Sequence, residues 1–141
     1  MTHSPPVSST VIDHPTRVGS KTLRVAAQAL FAAACVFALY AALAPDDGSQ
    51  GLLSRLLPWD KARHAATFYV LAGLAAAAFP RLGYPALAAG LAVYGLGIEL
   101  LQAAAGAGRD AEAWDFVADL VGIAAVYGPL TVLAGWREAG R

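Results

Sequence analysis

One cysteine, one methionine and three histidines are all that the chain of 141 residues carries of those types. A lone Cys35 excludes a disulfide framework and a cysteine-ligated metal site. Charge is scarce as well. Asp, Glu, Lys and Arg make up 14% of the chain, against roughly 25% in an average soluble domain. Ten basic residues balance ten acidic ones, so the net basic surface that nucleic-acid binding demands is missing. Disorder requires low hydrophobicity and high net charge, and a chain that is 57% hydrophobic has neither. Catalytic signatures are missing too: there is no G-x-S-x-G, no phosphate loop and no Rossmann fingerprint, Gly95-Leu96-Gly97 being only a fragment of one. Without an H-E-x-x-H or a spaced histidine pair, no metal and no cofactor is expected. What remains, with a mean hydropathy of +0.53, is a composition suited to a membrane.

Four apolar stretches supply the architecture. A bilayer core of about 30 Å needs roughly 20 helical residues. The sequence predicts an all-α integral membrane bundle of four transmembrane helices, over about 25–44, 60–79, 86–105 and 114–135. They form one domain, 21–137, between a flexible polar tail at 1–20 and a short tail at 138–141. Ala42-Leu43-Ala44 has the small-x-small form of a signal-peptide cleavage site, but the apolar run before it is too long and Pro45 follows directly. The first stretch is therefore read as a retained anchor. Pro45-Asp46-Asp47-Gly48, Pro58, the Pro80–Pro85 turn and Gly106-Ala107-Gly108 punctuate the spans, and Pro129 allows a kink in the fourth. Trp59, Tyr84, Trp114 and Trp136 sit at span ends, where amphipathic rings favour the headgroup level. Alanine, at 33 of 141 residues, lets helices approach closely, although a compositional bias would produce the same count.

With four helices running up and down, the strongly polar residues fall on one side. Asp60, Lys61 and His64 open the second span, Glu99 and Gln102 close the third, and Arg109, Asp115 and Asp119 lead into the fourth. Six basic residues (Arg17, Lys21, Arg24, Arg81, Arg137, Arg141) lie on the side of the termini and four on the other, so the positive-inside rule favours cytoplasmic termini and an outward polar layer. That layer is the anionic one, with eight acids against four bases.

A carboxylate at mid-membrane costs roughly 2.5–3.5 kcal/mol on insertion scales, so Glu99 and Asp119 need partners or water. Glu99 with Gln102, Asp115 with Asp119, and Asp60 with His64 share helix faces by their spacing. Tyr69 lies deeper on the second span. Blander readings stand beside each: Asp60 and Asp115 as helix caps, His64 and Asp60 as a structural pair, Arg109 as a neutralising charge, and Tyr69 as a packed aromatic. Trp59-Asp60-x-x-x-His64 and Trp114-Asp115-x-x-x-Asp119 also echo one another 55 residues apart, as in two parallel hairpins, though a shared need for a belt aromatic and a cap would explain it.

Asp60-Lys61-x-x-His64 with Tyr69, then Glu99-x-x-Gln102, then Arg109 with Asp115, Ala118 and Gly122 resembles the VanZ-like family over about residues 25–135. These are small bacterial multi-pass membrane proteins named for a link to teicoplanin resistance. One position departs from the pattern: Asp119 stands where the family's Asn is expected. The resemblance implies a cell-envelope role in the bacterial cytoplasmic membrane but no reaction.

Three functions follow. The first is non-enzymatic: a polar site of Asp60, Lys61, His64, Tyr69, Glu99, Gln102, Arg109, Asp115 and Asp119 that binds a lipid headgroup or a wall-precursor group and affects glycopeptide susceptibility. Its partners are membrane lipids and a lipid-linked or cell-wall ligand, with no nucleic acid and an oligomer left open. The second is a membrane-embedded hydrolase or transferase on a lipid-linked substrate, with His64 or Glu99 as general base. The third is a small proton-coupled transporter, ranked last because the other halves of the spans are apolar. No nucleophile–base pair is identifiable, and the reading leans away from an enzyme.

Overall fold

Proline and glycine place the helix ends. In the computed structural model, which describes residues 16–44, 56, 59–105 and 113–140, the described elements are four long helices. They are α1 (Thr16–Leu43), α2 (Asp60–Ala78), α3 (Tyr84–Ala105) and α4 (Ala113–Ala139). The α2–α3 turn needs only five residues, 79–83. The Leu82 N–H donates to the Phe79 carbonyl at 3.0 Å and the Leu87 N–H to Gly83 at 3.2 Å. Tyr84 and Pro85 belong to α3 rather than to the turn, because proline is accommodated in a first helical turn, where its missing N–H has no intrahelical partner to lose. The Pro45–Gly48 and Gly106–Gly108 breaks lie outside the described residues.

One boundary differs from expectation. Helix α1 begins at Thr16, so the end of the expected polar tail is helical and extends the first apolar stretch outward. Helix α4 runs unbroken through Pro129, with the Thr131 hydroxyl donating to the Gly128 carbonyl at 2.8 Å beside it.

Among the described residues, three helices have segments long and apolar enough to cross a membrane: Lys21–Leu43, Tyr84–Ala104 and Ala113–Trp136. Helix α2 does not join them. Asp60, Lys61, Arg63 and His64 occupy its start, and the apolar run from Ala65 to Ala78 covers only about 21 Å at 1.5 Å per residue. It is instead the most enclosed helix, with Phe68, Leu71, Ala72, Ala75 and Ala78 all buried.

Side chains that donate to backbone carbonyls of other helices set the topology. Tyr94 Oη reaches the Cys35 carbonyl and Gln102 Nε2 the Ala42 carbonyl at 2.9 Å, so α1 and α3 run parallel. Tyr127 Oη reaches the Ala72 carbonyl at 2.9 Å, and His64 meets Asp119, so α2 and α4 run parallel. Gln28 Nε2 reaches Ala78 at 3.3 Å, which makes α1 and α2 antiparallel. The bundle is up-down-up-down. Such bonds stabilise helix association where apolar surroundings leave a free polar group costly, by about 0.6 kcal/mol on average.

The offset between α2 and α4 also explains the sequence echo. His64–Asp119 and Ala72–Tyr127 are each 55 residues apart. The echo is thus the packing register of two parallel helices. Gly122 permits their approach: a Cβ there would collide with the Ala65 carbonyl oxygen and lie 2.9 Å from the Tyr69 nitrogen. At the far end, Tyr84 stacks on Tyr127 with centroids 5.5 Å apart, and Phe31 meets Phe79 edge-on at 5.6 Å.

Candidate functional site

The antiparallel order gathers one end of α2, α3 and α4 beside the end of α1. From α2, Lys61 Nζ pairs with Asp115 Oδ1 at 3.3 Å. Asp60 is ion-paired with Arg63 within the same turn. His64 Nδ1 lies 3.0 Å from Asp119 Oδ1, and its Nε2 lies 3.9 Å from Asp115 Oδ2. From α3, Glu99 joins the group: one donor atom each from His64, Glu99 and Asp119 lies within 4.8 Å of the others. Asp60, His64 and Asp115 form a second such group.

Local sequence explains these placements. Four residues along a helix return to nearly the same face, so Asp60 with His64 and Asp115 with Asp119 each present two polar groups to one neighbour. The cap reading of Asp60 does not hold. Trp59 occupies the N-cap position without a side-chain cap bond, and Asp60 is the first helical residue, turned toward Arg63. Asp115 likewise lies within the first turn of α4, where it reaches across to Lys61. Both carboxylates still lie at helix N-termini, where the dipole favours negative charge.

Two expected members stand apart. Tyr69 is exposed, because five residues beyond His64 the helix has turned about 140° away. Gln102 is buried, but its amide bonds to Ala42 and ties α3 to α1. Arg109 lies outside the described residues.

Sequence reasoning passed over two contributors. Arg63 is at i+3 from Asp60, a spacing that signals a helical ion pair. Gly95 lies one turn before Glu99. A Cβ there would stand 2.8 Å from Asp119 Oδ2 and 3.0 Å from Phe68 Cζ, so its missing side chain is what admits the Asp119 carboxylate against α3.

The balance of charge is uneven. Among the described residues, Asp60 has Arg63 and Asp115 has Lys61, while Asp119 has the imidazole of His64 and Glu99 lies within 4.8 Å of it. Glu99 is 6% exposed and Asp119 1%. Among the described residues, Glu99 Oε1 and Asp119 Oδ2 have no hydrogen-bond partner. A buried polar atom without a partner carries a desolvation penalty of about 1–3 kcal/mol, more for a charge. The arrangement therefore suits a proton, a cation or a donor group on a ligand. Shallow grooves along α1, walled by Val36, Leu39 and Tyr40, are apolar and contain none of these residues.

Compared with family models, with curated proteins and with solved structures, the chain has no match.

Proposed function

We propose that the chain is a four-span, VanZ-like protein of the bacterial cytoplasmic membrane, with cytoplasmic termini, whose outward polar cluster binds a lipid headgroup or a wall-precursor group. The observation that carries this reading is the convergence of His64, Glu99, Asp115 and Asp119 at one end of a bundle whose described buried residues are otherwise apolar apart from Gln102. Large apolar side chains left exposed on the outer faces, such as Val36, Phe37, Val93 and Val121, support immersion in lipid. In this reading α2 crosses as the enclosed partner of α4, its short apolar run offset by the polar cluster at one interface. An anionic site at that level selects ligands that present ammonium or hydroxyl groups.

The test is expression of Glu99→Gln, His64→Ala and Arg109→Ala in a bacterial membrane, followed by glycopeptide susceptibility and binding to vesicles of defined headgroup. Altered susceptibility together with weaker headgroup binding is expected. Unchanged behaviour at normal membrane levels overturns the reading. A fluorescent protein fused to the C-terminus should light up inside the cell if the termini are cytoplasmic.

The His64–Asp119 contact supports a second reading, a hydrolase or transferase with an oriented imidazole. Turnover of a lipid-linked substrate that is lost in His64→Ala would favour it over simple binding.

A further inference from the structure

We infer that His64, Glu99 and Asp119 form a binding site for a first-row divalent cation, Zn²⁺ in the first place. The sequence spacing holds no such ligand set, because the three residues come from three different helices and meet only through the bundle. One nitrogen and two carboxylates is a donor set that zinc accepts, and three protein ligands with an open position is its usual reactive arrangement. Their donor atoms already lie within 4.8 Å of one another. A tetrahedral ion with bonds of about 2.0–2.2 Å holds its ligands roughly 3.3–3.6 Å apart, so a modest side-chain rotation closes the set.

An acidic cluster alone would not carry this assignment. The independent observation is the pair of buried oxygens: Glu99 Oε1 and Asp119 Oδ2 have no hydrogen-bond partner among the described residues. Gly95 keeps open the space that the second of them occupies. Among the described residues, the neighbouring cations Lys61 and Arg63 pair with Asp115 and Asp60. A divalent ion would neutralise the Glu99 and Asp119 carboxylates and satisfy both oxygens. Asp115 Oδ2 lies 3.9 Å from His64 Nε2, beyond hydrogen-bond distance, and would have to swing closer to orient a ligating imidazole. The inference goes beyond headgroup binding and does not depend on it.

The full chain, purified in detergent through a tag that contains no histidine, is stripped with chelator and titrated with Zn²⁺ alone. Metal content after dialysis is read by mass spectrometry, and Co²⁺ is used as a coloured substitute. Saturable uptake of about one equivalent is expected, with visible Co²⁺ bands and a higher unfolding temperature than in chelator. Glu99→Gln, Asp119→Asn and His64→Ala should each weaken uptake by at least about tenfold, and Tyr127→Phe should not. If a ligand variant fails to fold, the wild-type titration still decides, since absence of saturable uptake overturns the site. Retention in all three ligand variants overturns it too, as does loss in Asp60→Asn with retention in Glu99→Gln, which would move the ion to the second group. No lipid is present, so a failed titration leaves headgroup binding standing, and failed vesicle binding leaves the metal site standing.

Discussion

Helices α1 and α2 invert the rule that holds in water. Helix α1 contains an apolar segment long enough to cross a membrane, yet Leu23, Val25, Val36, Phe37 and Tyr40 along it are exposed. Helix α2 carries four polar or charged side chains in its first turns and is too short in apolar length to qualify as a span, yet it has the most enclosed face in the bundle. In water the apolar helix would be the buried one. In hydrocarbon the outer surface gains nothing from being polar, and the interior is chosen by close packing and hydrogen bonding. The polar helix is therefore the one that the other helices enclose. Its small residues Ala72, Ala75 and Ala78 admit close neighbours, and its polar start is shared with α3 and α4.

Substitutions can break this contrast, and the largest effect falls where α2 and α4 touch. Gly122→Ala places a methyl group against the Ala65 carbonyl, a backbone atom that cannot swing aside. A loss of about 3 kcal/mol or more is expected, above the usual overpacking range, and is measured by reversible denaturation in detergent. An equally large methyl at Gly128, which has open space, should cost under about 0.5 kcal/mol in the same assay.

Next in size is the buried His64–Asp119 contact. His64→Ala leaves the buried Asp119 carboxylate without its imidazole partner, and a loss of about 1–3 kcal/mol is expected. The same assay on Asp60→Asn should give less than about 0.5 kcal/mol, because the Asp60–Arg63 pair is partly exposed and water screens it. If the two losses are equal, the distinction between an enclosed and an open part of the polar end fails.

A smaller effect belongs to the opposite end. Tyr127→Phe keeps the ring stacked on Tyr84 and removes only the bond to Ala72. Destabilisation of about 0.5–1.5 kcal/mol is expected, read as a shift of the denaturation midpoint. On α1, Val36→Ala should change stability within about 0.5 kcal/mol, because the side chain is largely exposed. A large loss there would mean that another surface covers α1.

Much of the site could be read in the chain order. Helical spacing pairs Asp60 with His64 and Asp115 with Asp119, and the up-and-down order puts Glu99 at their level. Tyr69 lies on the exposed side of α2, because five residues beyond His64 the helix has turned about 140°. The bond from the Gln102 amide to the Ala42 carbonyl is not legible in the spacing, because a buried amide can serve a neighbouring backbone as readily as a site. Gly95 escaped notice because a glycine carries no chemistry of its own, and its use lies in the space it leaves for a side chain on another helix.

Helix-forming apolar stretches, proline and glycine stops, and a one-sided distribution of charge are local properties, and they determined the all-helical architecture and the level of the polar residues. Three further matters required the folded bundle. It decided which cation each of Asp60 and Asp115 meets, because ion pairs form across distances of a few ångströms that no spacing specifies. It decided that α2 rather than α1 is enclosed, because burial here follows close packing rather than apolarity. And it decided that His64, Glu99 and Asp119 meet at all: they are separated by 35 and 20 residues of chain, and only the antiparallel return of α3 and the parallel register of α2 and α4 bring them face to face.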